Sequence, residues 1–412
     1  MLGSSAVAFT VALLAVASPS TATTVELKKR DLGLINADGS VCLESLKVEA
    51  SRLYKKYERN RKNWRYHAYG EDPTTRSSRL KRGTITLSSP EYAVWTGKIQ
   101  IGTPAQTFDI YFDTGSSDFT VASTSCPSSS CGTKDRYNVA ASSSAVTTST
   151  TITTNFVDGS SSSGTLVHDT VVGGALTATE QDVIAASSLS STVSDIPSDG
   201  MGLAYPALSQ AFSSSLPFTL YSQSQGGRPQ WFGMRLSNTA VSQLTFGGYN
   251  RARVAGSVKW FNVKLETGAQ FRTYWQIGAS APYVNGVQAV SSRTNHILDS
   301  GTTLVVAPPS AAAEFWASVP NSAVYDSNFW TYPCNSPPNV EFSFARQTLK
   351  MFGIAADDFN LGYLPEDNSR CVGAVIAQNL GLGSSWILGD AFRTWYIIHD
   401  VANNLIGIAP PR

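Results

Sequence analysis

Ile110-Tyr111-Phe112-Asp113-Thr114-Gly115-Ser116-Ser117 and Ile297-Leu298-Asp299-Ser300-Gly301-Thr302-Thr303 are the two stretches that decide how this chain folds. Each runs apolar residues into an Asp, then a hydroxyl residue, a Gly and two more hydroxyl residues. The two aspartates stand 186 positions apart, about one lobe of a protein. A single Asp-Thr-Gly is an ordinary turn. Two copies, each after an apolar strand, mark an internal duplication. In each copy a buried strand delivers the Asp, and Gly115 or Gly301 permits a turn too tight for other residues. The hydroxyls of Thr114, Ser116, Ser300 and Thr302 are expected to donate hydrogen bonds to the carboxylates and orient them. If the copies meet at a pseudo-twofold axis, the two carboxyls face each other, share a proton and titrate as a pair. One can then take a proton from water while the other, protonated, donates to a carbonyl oxygen. That chemistry is amide hydrolysis with no covalent intermediate, no metal and no cofactor.

The rest of the chain suits such a duplication. At 412 residues it is long enough for a two-lobed unit. Hydrophobic residues make up 42%, enough for a substantial core, and charged residues only 15%, which favours strands and turns over charged helices. From Gly83 onward, strand-like runs alternate with turn signals: Trp95–Ile101, Thr107–Phe112, Val146–Phe156, Thr165–Val172, Leu244–Gly247, Val258–Leu265, Thr294–Leu298 and Ile397–Ile408. Helical patterns are short: Ala207–Phe212, Phe218–Gln223, Ala311–Val319 and Leu349–Phe352. The Thr-rich stretch Ala140–Thr154 reads as exposed strand or as flexible linker.

Charge divides the chain in three. Residues 1–22 carry no charged side chain, 23–82 hold 15 Lys and Arg against 8 Asp and Glu, and 83–412 hold 16 against 22. A basic segment (+7) thus precedes an acidic body (−6), and the two should attract each other. An acidic body argues against nucleic-acid binding. Residues 1–22 read as a signal peptide, with an apolar run Ala6–Ala17 too short to span a bilayer and cleavage after Ala17 or Ala22. Residues 23–82 read as a basic pro-segment. Leu43, Leu46, Leu53, Tyr54 and Tyr57 recur near helical spacing, predicting one or two amphipathic helices with a basic face. Lys81-Arg82, just before the strand-forming body, is the expected processing site. These features predict a secreted, extracellular protein rather than a vacuolar one, with no membrane span. Cysteines fit an oxidising compartment. Cys126 and Cys131 flank a short loop, Cys334 and Cys371 are the other two in the body, and pairing between neighbours is the simplest of three connectivities. Cys42 is left over in the pro-segment. The four His are scattered and no metal site is expected.

With these residues in view, the chain resembles a pepsin-family (A1-type) aspartic endopeptidase in a secreted zymogen form like those of fungi. The paired-carboxylate chemistry is that family's known property and is a standard example of it. Further stretches carry the resemblance across most of 83–412: Tyr92-Ala93-Val94-Trp95, Ile99-Gln100-Ile101-Gly102-Thr103-Pro104, the Cys126/Cys131 loop, Asp199-Gly200-Met201-Gly202-Leu203-Ala204-Tyr205-Pro206, Thr245-Phe246-Gly247-Gly248, Tyr274-Trp275-Gln276, Trp386-Ile387-Leu388-Gly389-Asp390 and Asn403–Ala409. The resemblance implies an all-β fold of two pseudo-symmetric β-barrel-like lobes around a cleft, with the N-terminal lobe in 83–256 and the C-terminal lobe in 257–412. It implies Asp113 and Asp299 as the catalytic pair, acting on protein or peptide substrates with apolar side chains flanking the cut. Thr303 and Tyr274 resemble substrate-binding residues. Pepstatin-like inhibitors and the chain's own pro-segment are expected to block the cleft of a monomeric enzyme. A Lys or Arg from 52–65 should pair with the two aspartates near neutral pH, and acid should release it.

The chain departs from the family in two places. The family's flap over the cleft carries a Tyr at its tip, bonded to a Trp after the first Asp motif. The matching positions here read Phe156, with Asp158 and Gly159 following, and Thr120. Losing both partners strands no buried donor, and Phe156 can still cap an apolar side chain. The second departure is Gly200, where the family has an apolar residue. Two other classes share these features: a catalytically impaired pepsin-like binding or inhibitor protein, and a secreted structural β protein. Both Asp motifs are intact, which argues against the first. No nucleophile elbow accompanies the histidines, which argues against a serine hydrolase.

Overall fold

A computed structural model describes residues 22–29, 33–69, 95–155, 161–190, 199–211, 213–224, 231–237, 240–265, 270–344 and 350–412. The cleavage site after Ala17, the Lys81-Arg82 pair and the flap residues Phe156, Asp158 and Gly159 lie outside the described residues, and the alternative cleavage site after Ala22 falls at their first residue.

The molecule is mostly β-sheet, and the duplication read from the two Asp motifs is visible in its strand order. In the first half, β2 (Trp95–Ile101) and β3 (Gln106–Asp113) form a hairpin, followed by β4 (Phe119–Ala122), β5 (Val146–Asn155), β6 (Ser161–Gly173), β7 (Leu176–Leu189) and β8 (Asp199–Gly202). Strand β3 lies parallel to β8, β8 antiparallel to β4, and β4 parallel to β7. The second half repeats this. Thr294–Leu298 lies parallel to Trp386–Leu388, which is antiparallel to Val305–Ala307, which is parallel to Val375–Ala377. In both halves the strand that ends on the Asp is flanked by the same sequence of directions. β3 alternates along its length, burying Phe108, Ile110 and Phe112, while Ile297 and Leu298 are buried in the second copy.

A 13-stranded sheet joins the halves. In it β9 (Trp231–Arg235) pairs with β10 (Ser242–Phe246) on one side and with Tyr396–Asp400 on the other, and that strand forms a hairpin with Leu405–Ala409. The predicted run Ile397–Ile408 is therefore two strands, turning at residues 401–404. Val258–Leu265 shortens to Lys259–Asn262. The Thr-rich stretch is strand from Val146 onward: Val146–Asn155 pairs with β6, with an irregularity between Thr147 and Thr151, while Val139–Ala141 is a 3₁₀ turn. Of the predicted helices, Phe218–Gln223 and Ala311–Val319 fall within or largely on helices Leu216–Gln223 and Pro309–Ala317. Ala207–Phe212 is only a single 3₁₀ turn, Pro206–Leu208. The helix expected at Leu349–Phe352 is wrong where it is described, because Met351–Gly353 is a strand paired with Val340–Ser343. Four apolar-rich residues are too few for periodicity to tell helix from strand.

The basic segment contributes both a helix and a strand. Helix α1 spans Leu43–Tyr69, one element of 27 residues and so about 40 Å long. It buries Leu46, Leu53 and Tyr57 completely. Strand β1 (Thr23–Lys29) was not anticipated. It inserts between β10 and β2 in the joining sheet, with Val25 opposite Leu244 and Lys29 opposite Trp95. Its sequence alternates apolar-in and polar-out, with Val25 and Leu27 buried and Glu26 and Lys28 exposed. That period of two was the available signal, masked by the charge of the segment. Gly97 of β2 makes room for it, since a Cβ there would sit 2.6 Å from Val25 Cγ1.

Cys126 is joined to Cys131 and Cys334 to Cys371, and Cys42 is free. No helix among the described residues is long and apolar enough to cross a membrane.

Candidate active site

The two Asp loops meet head to head. Thr114 N–H donates to Ser300 Oγ at 3.1 Å, and Ser300 N–H donates to Thr114 Oγ1 at 2.9 Å. Each hydroxyl then donates across the junction, Thr114 Oγ1 to the Leu298 carbonyl and Ser300 Oγ to the Phe112 carbonyl, both at 3.0 Å. The expectation that Thr114 and Ser300 bond the carboxylates is thereby corrected: they lock one loop to the other. Ser116 and Thr302 do reach the carboxylates, Ser116 Oγ donating to Asp113 Oδ2 at 2.6 Å and Thr302 Oγ1 to Asp299 Oδ2 at 2.5 Å. Gly115 and Gly301 N–H groups donate to Oδ1 of Asp113 and Asp299 respectively, each at 2.9 Å.

The glycines serve a second purpose. A Cβ on Gly115 would lie 2.5 Å from the Asp299 carboxylate, and one on Gly301 would lie 2.2 Å from Asp113 Oδ1. Each glycine thus lets the opposite aspartate close on its loop, and the two carboxyls come within hydrogen-bonding reach of each other. Asp113 is 1% exposed and Asp299 3%. Burial raises both, but their outcomes separate. The Lys56 ammonium and the hydrogen bonds to Asp113 hold it below the ordinary carboxylate range. Asp299 stays raised by burial, and by the charge of Asp113, against the pull of Lys56. Two carboxyls forced into one site divide in this way, one ionised and one keeping the proton.

Helix α1 lies across this site. Lys56 Nζ donates to Asp113 Oδ1 at 2.6 Å and to Asp299 Oδ2 and Oδ1 at 2.8 and 2.9 Å. Of the cations in 52–65, Lys56 is the one that meets the pair. Burial would lower its pKa, and the two aspartates raise it. Tyr57, which in the sequence looks like one more apolar-face residue, donates its hydroxyl to Asp299 Oδ2 at 2.6 Å. Asn60 Nδ2 donates to the Gly115 carbonyl at 2.5 Å, and Asn63 Nδ2 to the Leu208 carbonyl at 2.9 Å. Toward the other half, Arg52 forms a two-pronged pair with Glu49 at 2.7 and 2.8 Å and donates to the Gly301 carbonyl at 2.8 Å. Thr303 N–H points to Glu49 Oε1 at 3.5 Å. Tyr274 is buried with its ring 5.5 Å from that of Tyr57. Asn60 and Asn63 went unremarked in the sequence, and Tyr57 was read only as part of an apolar face, because their roles depend on what the helix faces.

Of the two departures from the family pattern, Thr120 sits on β4 between Gly200 and Ile184. Gly200 has a clear steric reason. A Cβ there would lie 2.4 Å from Cε1 and 2.7 Å from the hydroxyl of Tyr111, so the Tyr111 ring takes the space an apolar side chain would fill. Among the described residues no group of His, Cys, Asp or Glu is placed to hold a metal ion.

The sequence pattern of the family described as eukaryotic aspartyl protease matches residues 94–411. The chain belongs to that family. An aspartic protease of Phaffia rhodozyma is 33% identical over 382 residues, covering 90% of this chain and 87% of that one. Major aspartyl peptidase 1 of Cryptococcus neoformans var. grubii is 29% identical over 423 residues, covering 94% and 84%. Pepsin A of Sus scrofa is 31% identical over 325 residues, covering 76% and 80%. As a eukaryotic aspartyl protease, this chain is an aspartic-type endopeptidase, a peptide hydrolase with the all-β, two-lobed, pepsin-like fold.

Proposed function

We propose that Asp113 and Asp299 are the catalytic pair, and that the chain as described is the enzyme's inhibited precursor. The observation that carries this reading is the Lys56 ammonium held between both carboxylates. A buried cation there fills the place where a water and a scissile carbonyl must sit. In the working enzyme the ionised aspartate takes a proton from that water, and the protonated one donates to the carbonyl oxygen as the tetrahedral centre forms. Ser116 and Thr302, with the two glycine N–H groups, hold the carboxyls for this exchange. Hydrolysis runs in acid, where the pair keeps one proton.

The division that fits is a signal peptide over 1–22, a pro-segment over 23–82 removed after Lys81-Arg82, an N-terminal lobe over 83–256 and a C-terminal lobe over 257–412. The product is a secreted, extracellular, monomeric enzyme acting on protein or peptide substrates. Thr303 and Tyr274 lie under α1 and are the residues a peptide would meet in its place. Phe156 stands at the sequence position of the family's flap Tyr, and its expected role is to pack on an apolar side chain of the substrate. A pepstatin titration tests the reading. Hydrolysis of a denatured protein by the acid-treated full-length chain should stop at one pepstatin per chain. Hydrolysis that survives saturating pepstatin would contradict it.

A further inference from the structure

Besides β1 and α1, the basic segment touches the body at a third place. Just ahead of α1, residues 34–42 fold back on themselves. Cys42 N–H donates to the Leu34 carbonyl and Asn36 N–H to the Ser40 carbonyl, both at 2.7 Å. The returning arm, Gly39-Ser40-Val41, lies beside the strand Asn360–Leu364, with Ser40 parallel to Tyr363. Val41 N–H donates to the Tyr363 carbonyl at 2.8 Å, and Tyr363 N–H to the Gly39 carbonyl at 3.4 Å. The Tyr363 hydroxyl adds a bond to the Asp38 carbonyl at 2.7 Å. Asn360–Leu364 is the last strand of a four-stranded sheet, with Asp367–Gly373 on its inner side. Among the described residues, only this arm pairs with its outer side. Gly362, at a φ of +107°, makes the approach possible, because a Cβ there would lie 3.0 Å from both the Gly39 oxygen and the Val41 nitrogen. A Cβ on Gly39 would lie 3.3 Å from Tyr363 Cε1, so the ring leaves room for only a small residue against it.

We propose that, once the pro-segment leaves, the bared edge at Gly362-Tyr363 is an exosite for an extended stretch of a protein substrate, with a Gly or other small residue against the Tyr363 ring. The proposal rests on residues 23–82 being a removable pro-segment and on Asp113 and Asp299 being the pair that cuts. A strand edge offers its free N–H and C=O groups to any extended chain. In the precursor one continuous chain runs from this edge into the cleft, since Val41 stands two residues before α1 and Lys56 of α1 meets the aspartates. From Leu43 to Lys56 the helix covers about 20 Å. An extended peptide covers that distance in about six residues. A substrate that takes the place of α1 in the cleft can therefore reach the edge with a flank of about six residues or more on one side of the cut.

The test compares two substrates of the acid-treated full-length chain: a denatured protein, and a peptide copied from one of its cut sites with about four residues on each side, too short to reach the edge. Tyr363→Ala removes the ring and the hydroxyl. Its kcat/KM for the protein should fall about fivefold, through KM, while that for the short peptide stays at the wild-type value. A second arm needs no substitution. The synthetic peptide Ile35–Val41, added to the wild-type enzyme, should compete with the protein and leave cleavage of the short peptide unchanged. Equal cleavage of the protein by wild type and variant, or a competitor that slows both substrates alike or neither, would overturn the exosite while leaving the catalytic pair standing. A wild-type chain that cuts neither substrate would overturn the catalytic assignment, and the exosite with it.

Discussion

Replacing Lys56 by Met keeps the length of the side chain and removes its charge. In the wild-type chain the ammonium makes three charge-assisted hydrogen bonds, of 2.6, 2.8 and 2.9 Å, in a site where Lys56 is only 6% exposed. The Met variant leaves the aspartates under an apolar side chain with no cation. Breaking a buried ion pair in this way costs about 3–5 kcal/mol, which is a roughly hundred- to few-thousandfold weaker hold of α1 on the cleft. The pH dependence follows in sign. Lys56 lowers Asp113, so its contribution is present above the ordinary carboxylate range and is lost as the pH falls through the depressed value. Wild type and variant should therefore differ most near neutrality and converge in strong acid. Binding of a labelled pepstatin to the two full-length chains at about pH 6.5 measures the hold directly, because pepstatin and α1 compete for one place. The variant should bind it about a hundredfold more tightly or better. Equal affinities would refute the claim that the ion pair holds the helix in place.

Three further outcomes follow from the same geometry. Gly301→Ala and Gly115→Ala put a Cβ 2.2 and 2.5 Å from the opposite aspartate; each should abolish hydrolysis while circular dichroism still reports the β fold, and an active variant would refute the close approach of the loops. Burial pushes Asp390 up to about 8, against the pull of Arg393 and a 2.7 Å hydrogen bond from Trp95. The raised group favours the folded chain fully below the ordinary carboxylate pKa and loses that contribution as pH rises toward 8, on the order of 5 kcal/mol over the range. In Asp390→Asn the fall in melting temperature between pH 5 and 8 should flatten, and parallel curves would count against it. Cys334–Cys371 closes 37 positions of chain and Cys126–Cys131 only 5. Loop-closure entropy then assigns about 4 kcal/mol to the first and about 2 kcal/mol to the second, so calorimetry of the paired Ser variants should show the larger loss at Cys334 and Cys371.

Much of the site could be read from the sequence because its signals are local. Each Asp motif states its own turn, and the repetition states the partner. The basic composition of 23–82 pointed to attraction toward the acidic body, the family resemblance to a cation from 52–65 on the aspartates, and Lys56 fills that place. What escaped reading depends on juxtaposition. Thr114 and Ser300 carry the same hydroxyl chemistry as Ser116 and Thr302, but only the meeting of two loops shows that the first pair bonds across the junction. Tyr57 fits an apolar helical face equally well whether it meets core or carboxylate. Gly200 departs from the family pattern in the sequence, and its reason appears only when Tyr111 lies against it. β1 alternates cleanly, yet the charge around it favoured a purely helical reading. Leu349–Phe352 failed for the opposite reason, being too short for its periodicity to carry information.

The central claim is that Asp113 and Asp299 together cut peptide bonds. Full-length wild type, Asp113→Asn and Asp299→Asn should each be acid-treated and assayed on a denatured protein between about pH 3 and 7. The account predicts acid hydrolysis by the wild type and its loss in both variants, since neither carboxyl can fill the other's role. Wild-type activity retained in either variant, with the fold intact, would contradict it.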